Sequence, residues 1–295
     1  MTVRGAAVWA MAGQYLAFAI QFIASVVISR LFLSPGEVGL FSIGLATAMI
    51  VAVLQDFGLS RYISGLTVLD HDEIARCGSV AVLFSLLIAA IVAATALPMA
   101  ATYHQPQLVT ILLIIAGSYL FVPMSVVPMA LMARAMRAFN QRPGQFQRDV
   151  IGVVDFDAPS STQRFHIVSL IDGRSTSYLV AHGRGSDPNH AGWLQRFSND
   201  PGSEASSNGA FRTAPTYEGH HGLSRRVFGL DPTNSNAEPR AIVIHAASYV
   251  SLAILAATGK LGRSEGCFAV APDKRDEVLA RLGEGRLIYA DKIRA

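Results

Sequence analysis

The sequence predicts two parts of different fold class: N-terminal all-α transmembrane helices, about four of them, followed by a mostly β domain with a few helices. Long uncharged runs fill the first half. Of 24 basic and 21 acidic side chains, only six and five lie between residues 1 and 138. Short β-branched runs bounded by turn residues take over from residue 149. The net charge of +3 averages these unlike halves and gives no reason to expect a nucleic-acid partner.

Four uncharged runs predict the four spanning helices. About 20 apolar residues cross a bilayer core, and Pro123 and Pro128 predict a kink in the last helix. A buried helical hairpin of a soluble protein is the alternative, but repeated runs of this length favour a membrane. The runs are Gly5–Ser29, Val38–Gln55, Gly78–Tyr103 and Gln105–Ala133.

The arginines of the first half predict an orientation. With the N-terminus in the cytoplasm, five arginines lie inside and only Arg30 lies outside, as the positive-inside rule requires. Four crossings then return the chain to the cytoplasm. The five inner arginines are Arg4, Arg61, Arg76, Arg134 and Arg137.

The polar, helix-breaking segment 139–148 predicts a linker between residues 1–138 and a domain at 149–295. In that domain two helices are expected, Ser248–Thr258 and Asp273–Leu282, and the Gly/Ser/Asn/Asp-rich stretch Gly183–Gly209 predicts one long functional loop. The predicted strands are Val150–Phe156, Arg164–Leu170, Ser177–Ala181, Ala241–His245 and Arg286–Ala290.

Cys267 is the single cysteine of the second domain, so a disulfide framework is excluded there. It follows Ser264-Glu265-Gly266, a turn that exposes a thiol, whereas a small buried hydrophobe is the ordinary role of a free cysteine. His245 closes an apolar strand, and a structural histidine is its ordinary interpretation. Together they have the residue types of a nucleophile and its general base.

Short motifs near the N-terminus give the first half a family resemblance. They are Val3–Ala7, Ser29–Pro35, Val38–Phe41 and Asp56–Ser60. This pattern resembles the opening segment of a polysaccharide (O-antigen type) flippase, a family whose members have many more helices. The resemblance implies a lipid bilayer as partner and a role as an anchor or a remnant.

Six motifs in order cover residues 149 to 293: Asp149–Phe156, Val180–Ser186, Phe197–Ser203, His221–Ser224, Ala241–His245 and Gly262–Cys267. They resemble murein L,D-transpeptidase catalytic domains of the YkuD-like superfamily. The resemblance implies a β-rich catalytic fold, no cofactor, and peptidoglycan stem peptides as substrate.

The resemblance also implies roles for individual residues. Cys267 attacks the carbonyl at the L-centre of diaminopimelate in a tetrapeptide, releasing D-alanine and leaving a thioester. An amine then forms a 3→3 cross-link, and water as acceptor gives a carboxypeptidase. His245 is general base and later acid, backbone N–H groups of Gly266 and Cys267 bind the oxyanion, and Ser264 shapes their turn. His221 and Arg263 are expected to line the substrate site.

One residue departs from the family pattern. The superfamily usually has histidine immediately before Gly-Cys, and this chain has Glu265. An ionised Glu265 would oppose a thiolate, so His245 would have to compensate. Ala246 offers no side-chain partner to the far nitrogen of His245, so a backbone carbonyl is expected to orient it.

Histidine spacing argues against a metal site. Five histidines of the second half are candidate zinc ligands, but no pair of them shows the i, i+4 helical spacing of a metalloprotease helix, so no metal is expected. The five are His182, His190, His220, His221 and His245.

The two halves predict different locations for the catalytic domain. A bacterial inner-membrane protein that cross-links peptidoglycan needs this domain in the periplasm, whereas the arginine bias places it in the cytoplasm. Either one span does not insert, or the domain has no substrate, or the chain joins pieces of two genes, which we favour. The alternative function is a membrane transport fragment with a non-catalytic or vestigial fused domain.

Overall fold

The computed structural model describes residues 34–55, 58–66 and 71–293, together with Ile23 and Val27. The chain forms two compact units. The first comprises Met1–Gly65 and Asp72–Val126, and the second comprises Leu66–His71 and Val127–Ala295.

The first unit is helical. Its helices are α1 (Pro35–Gln55), α2 (Leu59–Gly65), α3 (His71–Thr102) and α4 (Gln107–Ser118), and a 3₁₀ segment, Tyr119–Ser125, follows. Buried Ile88, Val92 and Ala96 of α3 form one apolar cluster with Leu112 and Ala116 of α4. In each helix these residues recur at four-residue intervals, which places them on one helix face.

Within the described residues, two helical stretches are long and apolar enough to cross a membrane, Asp72–Thr102 and Gln107–Asn140. They coincide with the third and fourth predicted spans, and the second predicted span coincides with α1. The first predicted span lies outside the described residues except for Ile23 and Val27, so four transmembrane helices are not confirmed. The helix irregularity expected at Pro123 is present as the 3₁₀ segment.

Helix α5 (Val126–Asn140) follows the 3₁₀ segment and lies almost wholly in the second unit. Arg134 on α5 forms an ion pair with Asp291 at 2.5 Å, with both side chains largely buried. Phe139 stacks on Phe146, with ring centroids 5.5 Å apart. Residues 127–140 thus pack on the β domain, although the sequence places the domain boundary after residue 138.

The second unit is built on one sheet. In the described part of the chain it has eight strands in the order β3-β2-β1-β8-β4-β5-β6-β7. The β1–β8 and β6–β7 pairs are parallel and the other pairs are antiparallel. The strands are β1 (Val150–Asp155), β2 (Phe165–Ser169), β3 (Ser175–Tyr178), β4 (Gly209–Gly219), β5 (Gly222–Gly229), β6 (Val243–Ala246), β7 (Phe268–Val270) and β8 (Leu287–Asp291).

The two ends of this sheet meet. Val180, just beyond edge strand β3, forms a bridge with Val270 of the other edge strand, β7. The sheet therefore curls around its core, which includes the fully buried Phe165 and Phe211. This curvature brings the loop after β3 beside the start of β7.

Two short helices complete the unit, α6 (Leu252–Thr258) and α7 (Arg275–Arg281). The Ser251 side chain accepts the N–H of Ile254 at the start of α6, and Gly259 ends that helix in the left-handed conformation. Both helices lie inside the predicted ranges. Four of the five predicted strands match β1, β2, β6 and β8 closely, whereas the predicted Ser177–Ala181 overlaps β3 at only two residues. From 187 to 208 the chain has neither helix nor strand, as expected for the long loop.

Strands β4, β5 and β7 are not among the predicted strands. The β4–β5 ladder shifts register between Thr213 and Thr216, a segment that contains Pro215. Proline cannot donate to a ladder, and a bulge breaks the period-two alternation from which strands are predicted. Strand β7 has only three residues, all buried, so it has no alternation to detect.

Candidate active site

The parallel pair β6–β7 places Cys267 and His245 on the same face of the sheet. Ile244 pairs with Phe268 and His245 pairs with Ala269. Cys267 directly precedes β7, and alternate strand residues project to one face, so its side chain projects to the same side as that of Ala269. Cys267 and His245 accordingly line one cavity of about 510 Å³.

The turn before the thiol requires glycine. Gly266 has φ of +108°, and a Cβ at this position would lie 2.6 Å from the carbonyl oxygen of Ala205. The buried Ser264 hydroxyl donates to the carbonyl of Cys267 at 2.8 Å and accepts the N–H of Gly266 at 3.2 Å. Ser264 therefore holds this turn through two hydrogen bonds. Because the Gly266 N–H points at Ser264, the oxyanion role predicted for it needs that long bond to open.

The thiol of Cys267 is half-buried and packs against the core. Its Sγ donates to the carbonyl of Ala241 across 3.6 Å. Ala241 has φ of 54°, a left-handed conformation that is uncommon for a residue with a side chain. Burial raises the pKa of Cys267, the charge of Glu265 raises it further, and the Val243 N–H and Arg240 oppose these effects. The resting sulfur is therefore a thiol at neutral pH.

The imidazole of His245 is buried and has a fixed tautomer. Its Nδ1 lies 2.8 Å from the carbonyl oxygen of Ala246, and because a carbonyl only accepts, Nδ1 carries the proton. This is the backbone orienter expected from the sequence. Burial lowers the pKa of His245, partly offset by this hydrogen bond, and the charge of nearby His221 lowers it further. His245 is therefore neutral at pH 7 with a lone pair on Nε2.

His221 reaches the site from the β4–β5 turn. Its ring stacks on His245 with centroids 4.1 Å apart and an interplanar angle of 20°. His221, Ser264 and Arg263 line the same cavity as Cys267 and His245. The predicted site residues are thus brought together, with Gly266 adjacent to them in the turn.

Two arginines of this cavity, Arg184 and Arg240, are absent from the predicted set. Arg184 Nη2 lies 3.1 Å from the Glu265 carboxylate and also pairs with Glu204. The charge of Glu265 is therefore compensated by Arg184, whereas the sequence assigned that task to His245. Salt bridges between residues 20 or more positions apart leave no local pattern from which they could be predicted.

Arg240 ties the long loop to the site. Its guanidinium donates to the carbonyl oxygens of Ser198, at 2.8 Å, and Ala205. The carbonyl oxygen of Ala205 is also the atom that a Cβ at position 266 would meet first. Arg240 thereby fixes the loop against the turn that carries the thiol.

A buried network supports the rest of that loop. Arg164 Nη2 donates to His182 Nδ1 at 2.7 Å, so His182 Nε2 carries the proton and donates to Asp187 Oδ2 at 3.2 Å. Burial, with the charge of Arg164, lowers the pKa of His182 to about 4. Asp187 also accepts the backbone N–H of Gly192 at 2.8 Å, and Arg263 donates to the Asp187 carbonyl. The side chains of Arg164, His182 and Asp187 are all buried, so this network is closed to solvent. It stabilises the loop.

Among the described residues, no group of three or more His, Cys, Asp or Glu side chains could hold a metal ion. The cavity contains a thiol, a neutral imidazole and three arginines, Arg184, Arg240 and Arg263.

Comparison with known proteins identifies two family matches. The sequence model of polysaccharide biosynthesis proteins matches residues 3–141. That of the L,D-transpeptidase catalytic domain matches residues 124–290, more than half of the chain. No curated protein matches the chain.

Solved structures of L,D-transpeptidases are similar to about half of this chain at low identity. An L,D-transpeptidase from Mycobacterium smegmatis is 15% identical over 48% of this chain and 58% of its own, with a TM-score of 0.30. L,D-transpeptidase 1 from Mycobacterium tuberculosis is 14% identical over 48% of this chain and 61% of its own, with a TM-score of 0.28. The transpeptidase LdtMt1, solved in complex with imipenem, is 15% identical over 48% of this chain and 59% of its own, with a TM-score of 0.30.

The chain spans about three fifths of the length of these structures. The family match rests on the sequence model and includes the strands, the long loop and the turn of Cys267. The chain belongs to the L,D-transpeptidase catalytic domain family.

Proposed function

We propose that this protein is a peptidoglycan L,D-transpeptidase in which Cys267 is the nucleophile and His245 the general base. The observation that carries the proposal is the shared cavity of the two side chains, with Nδ1 of His245 held by a backbone carbonyl. That bond leaves Nε2 as the basic nitrogen on the ring, which is the form a general base needs.

The pKa directions define the proton step. Cys267 has a raised pKa and His245 a lowered one, so the resting pair is a neutral thiol and a neutral imidazole. The proton moves from Sγ to Nε2 as sulfur attacks the stem-peptide carbonyl at the L-centre of diaminopimelate. A C–S bond forms, the C–N bond to D-alanine breaks, and His245 returns the proton to the leaving amine.

The second half-reaction regenerates the thiol. His245 takes a proton from the amine of a neighbouring stem, the amine attacks the thioester, and sulfur leaves with the proton. Water in place of the amine gives the carboxypeptidase reaction. The N–H of Cys267 is our proposed oxyanion donor, joined by Gly266 when its bond to Ser264 opens.

The arginines that line the Cys267 cavity favour an anionic substrate. Arg184, Arg240 and Arg263 line the cavity. Arg184 is paired with Glu204 and Glu265, whereas Arg240 and Arg263 form no ion pair within the described residues. Stem peptides carry free carboxylates, which pair with guanidinium groups in a bidentate manner. His221 and Arg263 are proposed to contact the acyl donor.

The test is intact-mass analysis of the detergent-solubilised full chain after incubation with a carbapenem. Thiol attack opens the lactam, forming the C–S bond, breaking the lactam C–N bond and moving the proton to nitrogen. The protein then gains the whole mass of the inhibitor. We expect one adduct, located at Cys267.

The chain offers a control, because it has a second free cysteine, Cys77, which is more deeply buried than Cys267. Cys77→Ala should keep the adduct and Cys267→Ala should lose it. An adduct on Cys267→Ala would remove the assignment. Muropeptide analysis with a purified tetrapeptide dimer then separates 3→3 cross-linking from release of D-alanine alone.

A second function is favoured by the polysaccharide biosynthesis match at residues 3–141. In this alternative the helices act in transport of a lipid-linked sugar and the β domain is non-catalytic. Translocation of a fluorescent lipid-linked sugar in proteoliposomes, unchanged by Cys267→Ala, would support it. In the leading proposal the helices anchor the enzyme, and its side of the bilayer is the periplasm.

A further inference from the structure

Another cavity, whose lining residues are distinct from those around the thiol, has three arginines among its lining residues. Its walls include Arg134, Arg137 and Arg142 of the α5 region, with Asp231 and Tyr289 of the β domain, and its volume is about 230 Å³. This volume lies below the usual range for sites of drug-sized ligands, so the cavity fits a small group. It shares no lining residue with the Cys267 cavity.

Two of the three arginines are neutralised by carboxylates. Arg134 pairs with Asp291 and Arg142 pairs with Asp231. Each carboxylate also accepts a backbone N–H, at 2.9 and 2.6 Å respectively. Their acceptor positions are therefore largely occupied by these partners.

Arg137 is different. Its Nη1 donates to the carbonyl of Leu66, while its Nη2 is buried and has no hydrogen-bond partner in the described part of the chain. A buried guanidinium N–H without an acceptor lowers the stability of the folded state, and such unpaired donors are rare in native proteins. The cavity thus combines one uncompensated positive charge with an unused donor.

The geometry points to a binding site for a phosphate group, with Arg137 as its central ligand and Arg134 and Arg142 beside it. The planar guanidinium fork matches phosphate oxygens and gains charge-assisted hydrogen bonds from them. Arg134 and Arg137 also lie in the last turns of the candidate span Gln107–Asn140. Basic clusters next to a membrane helix meet the phosphates of anionic lipids, although free phosphate has the same chemistry.

The test uses the full chain in detergent and two probes. Native mass spectrometry measures retention of phosphatidylglycerol against phosphatidylcholine, and thermal unfolding measures stabilisation by inorganic phosphate alone. We expect Arg137→Gln to weaken binding of the effective probe about tenfold, the effect of one charge-assisted hydrogen bond. Selective retention of phosphatidylglycerol identifies a lipid source, and stabilisation by inorganic phosphate alone identifies a free one.

Arg174→Gln is the matched control, because Arg174 is an exposed arginine whose partner, Asp172, lies 3.5 Å away on the surface. It should leave both measurements unchanged. The proposal is overturned if the wild type binds neither probe, or if Arg137→Gln and Arg174→Gln behave alike. If Arg137→Gln does not fold, Arg137→Lys decides. The lysine keeps the positive charge but lacks the planar guanidinium group. Weakened phosphate binding in Arg137→Lys supports the site, and unchanged binding overturns it.

Discussion

The rings of His221 and His245 stack at 4.1 Å between centroids, although one lies in the turn after β4 and the other in β6. The contact buries one face of the proposed general base. It also brings a second ionisable group close to it, and the charge of His221 lowers the pKa of His245.

Replacing His221 should therefore shift the pH dependence of catalysis. In His221→Ala both the neighbouring charge and part of the burial are removed, and each change raises the pKa of His245. Because catalysis requires neutral His245, the acid limb of the pH profile should then move to higher pH. The pH profile of kcat/KM for thioester formation measures the shift.

His220→Ala is the control for this prediction, since His220 contacts His221 in an edge-to-face manner at 5.1 Å. It should leave the acid limb close to that of the wild type. An acid limb that stays in place in His221→Ala would contradict the proposed coupling.

The carboxylate of Glu265 should slow ionisation of the thiol. Because Glu265 raises the pKa of Cys267, Glu265→Gln lowers it, and alkylation by iodoacetamide at fixed pH becomes faster. Glu265 is exposed and paired with Arg184, so the expected change is only about two- to fivefold. Stopped-flow or mass-based alkylation rates check it.

Salt provides the internal control for this effect. The difference between Glu265→Gln and wild type should shrink at ~1 M salt, where the Debye length falls to about 3 Å. A difference that persists unchanged would assign the effect to altered turn geometry. Slower alkylation in Glu265→Gln would contradict the prediction outright.

Gly266 should be the least replaceable residue of the turn. Gly266→Ala combines a φ of +108° with a Cβ 2.6 Å from the carbonyl oxygen of Ala205, so we expect a loss of at least ~2 kcal/mol in the free energy of unfolding. Gly259→Ala is the matched comparison. It also has positive φ, 73°, but open space around its Cβ, so about 1 kcal/mol is expected. Chemical denaturation measures both, and equal losses would show that the close approach to Ala205 is unimportant.

His182 should make the stability of the β domain depend on pH. Its pKa is about 4 in the folded protein and near its usual 6.5 when unfolded, so the unfolded state binds more protons between these values. The stability contribution is complete above about pH 6.5 and is lost as the pH falls towards 4. This difference in proton binding lowers the free energy of unfolding by about 3 kcal/mol between pH 6.5 and pH 4.

The measurement compares His182→Gln with wild type by denaturation at several pH values. The variant is less stable at pH 7, because Arg164 and Asp187 lose a partner, and the difference should narrow as the pH is lowered. Carboxylates common to both proteins cancel in this comparison. A difference that is constant from pH 7 to pH 5 would contradict the assignment of a neutral, buried His182.

Local sequence was sufficient for much of this architecture. Strands such as β1 and β8 are uninterrupted apolar runs between turn residues, and Gly259 marks the end of α6. The Ser264–Cys267 turn was predictable because serine and glycine precede the thiol directly. Its internal hydrogen bonds span at most three residues.

Other features depend on contacts between distant segments. The pairing of Arg184 with Glu265, and the closure of the sheet through Val180 and Val270, join residues about 80 to 90 positions apart. Composition cannot predict which residues meet in this way, because the pairing follows from how the sheet curls. The same is true of α5, whose apolar composition suggests a membrane helix while its arginines pair inside the β unit.

The N-terminal limit of the catalytic domain gives the final prediction. Residues 127–140 belong to the β unit, through the pair of Arg134 with Asp291 and the stacking of Phe139 on Phe146. A fragment starting at residue 127 should therefore be more stable than one starting at residue 149, the predicted domain start. We expect the free energies of unfolding to differ by a few kcal/mol, since the shorter fragment loses the aromatic pair and leaves Asp291 without its arginine.

Urea denaturation of both fragments measures this difference, and Asp291→Asn in the shorter fragment should recover part of the lost stability. If both fragments unfold at the same urea concentration, α5 is dispensable for the β domain, and the helix is then available to cross the bilayer over its full length.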